Sequence, residues 1–134
     1  MPGASPEFLP CPADQRGAAV GLLYRRAPGG ARPGLVAALL AEADAGRIDL
    51  SGLWIARRRG RVVAALLTQA LAGRAAALWA PEVEPAWGRA ALATALVRAA
   101  LDDFRARGFR VAQALIDRSS PRGAAADLTR AGLP

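Results

Sequence analysis

The sequence predicts an α+β domain in which a mixed, mostly antiparallel sheet is flanked by helices. Three observations carry this reading. Between Leu53 and Ala80, short apolar segments are separated by turns containing Gly60 and Gly73, the pattern of a three-strand antiparallel meander. From Trp87 to Arg107 apolar residues recur at helical spacing, and an apolar segment from Phe109 to Ile116 follows. A strand, a crossover helix and a second strand in that order form a parallel pair, so an otherwise antiparallel sheet gains one parallel neighbour.

The chain is read from its start as follows. The proline-rich stretch 1–7 is expected to be flexible. A first helix begins near Ala13, with Asp14 early in it, carries Val20, Leu22, Leu23 and Tyr24, and stops before Pro28-Gly29-Gly30. A second starts at Pro33 and runs towards Gly46. Leu35 and Leu39, like Val36 and Leu40, lie one turn apart and define its buried stripe.

Leu53 to Ala56 is then a strand, Arg57 to Gly60 a turn, Arg61 to Leu71 a strand, Ala72 to Arg74 a second turn, and Ala75 to Ala80 the third strand. A loop holding Pro81 and Pro85 leads to the helix of 87–107. That helix sets Leu92, Leu96 and Ala100 on one face and Val97, Leu101 and Phe104 on the next, with Arg98 and Asp102 on the polar side. Gly108 is a C-cap for it. Beyond the last strand, Ser120-Pro121 opens a final helix to Arg130, stopped by Gly132.

Composition narrows the chemistry. With 134 residues the chain suits one compact domain, 1–134. Cys11 is the only cysteine and histidine is absent. The usual nitrogen and sulfur ligand sets for zinc, Ser/His/Asp triads and Cys/His dyads are thereby excluded, and acid or base work falls to carboxylates, Tyr24, Cys11, the N-terminal amine or the substrate. The longest apolar runs, such as Val62 to Leu67, fall far short of the roughly 18 to 20 residues that span a bilayer. The N-terminus lacks the basic cluster and apolar core of a secretory signal, so no membrane partner and a cytoplasmic location are expected.

The net charge of +7 is carried by arginine alone, with no lysine present. Such a balance suits a polyanion partner. A chain rich in Ala, Arg and Gly is also what a GC-biased genome produces, the arginines are dispersed, and few aromatics are available to stack bases, so nucleic acid is not the expected partner.

The run Val83-Glu84-Pro85-Ala86-Trp87-Gly88-Arg89-Ala90-Ala91-Leu92-Ala93-Thr94-Ala95-Leu96, followed by Arg107-Gly108-Phe109 and the strand to Ile116, resembles the GNAT superfamily of acetyl-CoA-dependent N-acetyltransferases. The likeness extends from about Phe8 to Leu133. It implies an acyl-CoA N-acyltransferase-like fold with the element order β-α-α-β-β-β-α-β-α, and acetyl-CoA as co-substrate. In that family a Gln/Arg-x-x-Gly-x-Gly/Ala turn opens a helix whose amides hold the cofactor pyrophosphate. Unpaired N–H groups of a first helical turn, aided by the helix dipole, suit an anion.

With Leu96 set on the family's leucine, Gly88 falls at the Gln/Arg position, Ala91 at the glycine and Ala93 at the Gly/Ala position. The resemblance therefore implies a cofactor set of Val83, Gly88, Arg89, Ala90, Ala91, Leu92, Ala93 and Ser119, with the pantetheine arm along Ala80 to Val83 and an oxyanion contact from the Val83 amide. If position 91 needs a positive φ, its methyl group is a handicap, and Ala91→Gly is expected to bind the cofactor equally or more tightly. Arg89 offers a guanidinium to phosphate.

For catalysis, Glu82, and less so Glu84, is the carboxylate to take a proton from the acceptor amine through water. Both also read as solvated loop charges. Leu128-Thr129-Arg130-Ala131-Gly132-Leu133 looks like the family's closing Tyr-x-x-x-Gly-Phe, with Leu128 where many members carry the tyrosine that protonates the leaving thiolate. The family continues with two further strands, which this sequence is expected to lack, either as a fragment of a longer reading frame or as an incomplete homologue whose open sheet edge is a place for copies of the chain to associate.

Further residues have two readings each. Trp54 and Trp79 are core residues or ligand platforms, Trp87 is a staple over the first helical turn or a contact, and Arg57 to Arg59 with Arg61 form a solvated turn or a phosphate site. Gln113 and Asp117 share one strand face and line a pocket or are exposed. Ser120 is a helix cap or a contact to the pantetheine arm, and Cys11 a buried or idle thiol. Three functions follow. One is an acetyltransferase acting on a small-molecule or peptide amine by direct attack. The others are a degenerate association module of the same fold and an arginine-rich polyanion binder.

Overall fold

The computed structural model describes residues 5–85, 88–115 and Arg130. The readings placed on Trp87, Asp117, Ser119, Ser120, Leu128 and the helix from Pro121 lie outside them. Among the described residues the order is β1 (Glu7–Pro10), a 3-10 turn (Ala13–Gln15), α1 (Arg16–Leu23), α2 (Ala31–Asp44), β2 (Leu53–Arg58), β3 (Arg61–Leu71), β4 (Ala75–Trp79), β5 (Glu82–Val83), α3 (Arg89–Ala106) and β6 (Val111–Leu115). The sheet runs β1-β2-β3-β4-β6, with β5 also on β3; β4 and β6 are parallel and the other pairs antiparallel. The expected mixed sheet and crossover are both present, with α1 and α2 on one face and α3 on the other. No helix here is long and apolar enough to cross a membrane.

Alternation along the strands builds two cores. Trp54, Ala56, Leu66, Ala76, Leu78 and Val83 meet Leu92, Leu96, Val97, Ala100, Leu101 and Phe104 of α3. On the opposite face Leu53, Ile55, Val62 and Ala65 pack under Ala19, Val20 and Leu22 of α1. Both faces expected of α3 are buried, because their spacing makes one broad stripe.

The C-terminal end of α3 is held by a paired cap. Gly108 adopts φ 87°, its N–H donates to Arg105 C=O at 3.0 Å, and the Phe109 N–H donates to Phe104 C=O at 3.0 Å. This is the arrangement in which a left-handed glycine satisfies the last carbonyls of a helix. The Phe104 and Phe109 rings sit 4.8 Å apart with the Arg107 guanidinium over both, which aims the chain into β6.

Several boundaries differ from expectation for identifiable reasons. The first helix stops at Leu23, where Arg25 and Ala27 donate to carbonyls three residues back and Pro28 requires an extended predecessor. α2 starts two residues before Pro33, whose missing N–H falls in the first turn and costs no helical bond. Its stripe is Val36, Leu39, Leu40 and Ala43, while Leu35 is exposed.

Arg57 and Arg58 belong to β2, and the turn is the two residues Arg59 and Gly60, both at positive φ as a tight hairpin of right-twisted strands demands. Of the stretch expected to be flexible, Glu7 is paired with Arg57 in the sheet. Gln113 is exposed, Trp54 is in the core, and Trp79 is half-buried.

Candidate functional site

The third meander strand does not end at Ala80. β4 pairs with β3 up to Leu78 against Thr68, and β5 resumes the same antiparallel pairing with Glu82 against Ala65 and Val83 against Ala64. Between those registers β3 contributes Leu66 and Leu67, whereas the opposing chain contributes Trp79, Ala80 and Pro81. One extra residue makes a β-bulge, and Pro81, which has no N–H to give a ladder, is suited to it. Glu82 and Val83 are thus strand residues, which corrects the expected loop.

The bulge sets the direction of the Val83 amide. Glu84 donates to Val63 C=O at 3.0 Å, so hydrogen-bonded and non-hydrogen-bonded pairs alternate from there and Val83 with Ala64 is a non-bonded pair. The Val83 N–H therefore points away from β3, towards the side on which β6 pairs with β4. Its side chain goes to the α3 core, and that of Glu82 goes to the α1 face.

Glu82 is not a solvated charge. It is 6% exposed, and Arg25 Nε lies 2.8 Å and Arg26 Nε 3.4 Å from its carboxylate. The early end of α1 frees both arginines to reach across. Nothing in the sequence pattern joins a pair of arginines to a carboxylate 56 or 57 residues on. Glu84 is taken up differently, in a two-pronged pair with Arg61 at 2.8 and 2.6 Å on the surface. Arg57 binds Glu7 and Gln15, so Arg57 and Arg61, two of the four arginines of this basic run, are committed within the fold.

α3 opens at Gly88, which sits at φ 82° and, as a glycine, has no side chain with which to cap the helix. Gly88 C=O accepts from Leu92 N–H at 3.0 Å, the first internal bond of the helix. The N–H groups of Arg89, Ala90 and Ala91 precede that bond and have no helical acceptor. Gly88, Ala90 and Ala91 are exposed, and among the described residues other than its chain neighbours no atom lies within 4 Å of the place a Gly88 Cβ would take.

Two features bear on the expected cofactor set. Leu92 and Ala93 turn their side chains into the core, and the Leu92 amide is already used. The positive φ belongs to Gly88, while Ala91 is ordinary helix and carries no penalty for its methyl group.

Cys11 is half-buried on the α1 side of the sheet, where burial pushes its thiol up to about 11 from 9.0; Arg16 and Arg57 pull it down and Asp14 adds to the rise. The folded chain thus keeps this proton after the unfolded chain has lost it. Stability is expected to fall as pH rises from about 9 towards 11 and to be unaffected by this group below that window, a slope that Cys11→Ser removes in urea titrations.

No protein-family model matches the sequence, and neither does any curated protein. Solved structures do. A transcriptional regulator from Bacillus halodurans superposes with a TM-score of 0.69 at 15% identity over 97% of this chain and 93% of its own. A ribosomal-protein-alanine N-acetyltransferase from Escherichia coli gives 0.68 at 18% identity over 96% and 77%. A GNAT family acetyltransferase from Brucella melitensis, solved with acetyl-CoA, gives 0.63 at 16% over 88% and 80%. The chain has the GNAT acetyltransferase fold.

Proposed function

We propose that this protein is an acetyl-CoA-dependent N-acetyltransferase that acetylates an amine by direct attack. The observation that carries the reading is the solvent-open start of α3 at Gly88, whose first amides have no helical acceptor, in the same crossover as a bulged strand whose Val83 N–H is turned off the sheet ladder. Bound acetyl-CoA would supply an acetyl group activated as a thioester. The amides of Arg89, Ala90 and Ala91 would hold its pyrophosphate, with Arg89 adding its guanidinium. Ser119 would meet the pantetheine arm.

The Val83 N–H would donate to the oxygen that becomes negative as the amine attacks, a contact stronger in the transition state than before it. Glu82 would take the acceptor's proton through water, its carboxylate oriented by Arg25 and Arg26. No side-chain nucleophile is needed, in keeping with a chain without histidine.

A thermal melt tests the reading. Acetyl-CoA at about 100 times its dissociation constant should add about 2.7 kcal/mol, and free acetate nothing. Absence of a shift would leave the degenerate module as the reading to pursue. A salt-sensitive shift with any oligonucleotide would point to the polyanion binder instead.

A further inference from the structure

Glu82 meets more positive charge than it can neutralise. Arg25 and Arg26 both reach this one carboxylate, which leaves a net charge of +1 on the group. Each approaches through Nε, so the two Nη atoms of each guanidinium lie outside these contacts. Arg25 donates to Oε1 at 2.8 Å, whereas Arg26 Nε straddles the carboxylate at 3.5 Å from Oε1 and 3.4 Å from Oε2.

Charge balance alone would be met by Arg25, whose side chain is 20% exposed. Arg26, 45% exposed, brings a second cation against the first and opens the group to solvent. Adjacent guanidiniums with donor edges left over are suited to the two oxygens of a carboxylate or phosphate. The location matters equally, because Glu82 is the residue before Val83.

We propose that the acceptor is an amine that also carries an anionic group, with its nitrogen by Glu82 and its anion on the Nη edges of Arg25 and Arg26. This rests on the acetyltransferase reading above. Chemically, the ammonium first gives up a proton. Its nitrogen then bonds to the thioester carbonyl carbon, the carbon–sulfur bond breaks, and an amide and a free thiol result with one proton released to solvent.

Thiol release from acetyl-CoA is to be measured with leucine and glutamate, their amides, O-phosphoethanolamine and spermidine. The acids should exceed their amides by about tenfold in kcat/KM, and in Arg26→Gln that ratio should shrink to under about threefold, through KM for the acid. Preference for O-phosphoethanolamine over both amino acids would support the site and assign its anion as phosphate. Amides or spermidine used as well as the acids would overturn the proposal, as would a ratio unmoved in Arg26→Gln.

If acetyl-CoA raises the melting temperature but no amine is acetylated, N-acetylleucine against N-acetylleucinamide decides. A shift with the acid alone supports the arginine site, and equal or absent shifts overturn it. Failure of acetyl-CoA to raise the melting temperature defeats the acetyltransfer reading itself, and the same pair of probes then decides the arginine site separately.

Discussion

Gly52→Ala is expected to destabilise the fold by about 3 kcal/mol, read as a lowered urea midpoint. A Cβ at this position would sit 2.6 Å from Thr68 Oγ1 and 2.8 Å from the Thr68 carbonyl carbon, and it would also strike the carbonyl oxygen. Thr68 cannot retreat easily, since it is buried and donates both its N–H, at 2.9 Å, and its hydroxyl, at 2.7 Å, to Gly52 C=O. The requirement is for space, because Gly52 is not among the glycines at positive φ.

Two controls separate this from a general effect of adding a methyl group. Thr68→Ala removes the hydroxyl but leaves the backbone obstruction, so the double variant should gain nothing over Gly52→Ala alone. Gly34, in α2 with nothing within 4 Å, should gain about 0.5 to 1 kcal/mol on becoming alanine through helix propensity. A Gly52→Ala protein as stable as the parent would mean that β3, and with it the pairing that places Val83, is more yielding than its contacts imply.

The sheet and α3 were legible because their signals are periodic and local. Leu92, Leu96 and Val97 mark a helical face, and the positive-φ glycines Gly60, Gly73 and Gly108 each end an element where the sequence puts them. What stayed hidden depends on register and distance. The bulge is one residue in length, and its only sequence mark is Pro81 interrupting an apolar run, which reads as a strand end.

The Arg25, Arg26 and Glu82 group was illegible for another reason. An arginine pair after a helix is ordinary on any surface, and its partner is brought in by tertiary packing of α1 on β3 and β5. The alignment of the α3 opening placed the suspect glycine position at Ala91. Backbone geometry moved the special conformation to Gly88, which no residue spacing could have settled.

Ala91→Glu is expected to weaken acetyl-CoA binding by about 100-fold while leaving the chain equally or slightly more stable, a pair of opposite effects that separates an anion site from a mere helix start. Position 91 is the third of α3, exposed, and its N–H precedes the first helical bond. A glutamate there faces the positive end of the helix dipole and can reach back towards the Gly88 amide, worth about 0.3 to 1 kcal/mol to the empty protein. The same carboxylate would occupy and repel the place proposed for the diphosphate, so its benefit to the fold would be its cost to the ligand. Ala91→Gly supplies the contrast: with ordinary helical φ at 91 it should lose about 0.8 to 1 kcal/mol of stability and gain no affinity. Melting curves with and without acetyl-CoA give both quantities from one set of samples. An Ala91→Glu protein whose acetyl-CoA shift equals the parent's would move the cofactor away from the first turn of α3 and take the proposed roles of Arg89, Ala90 and Ala91 with it.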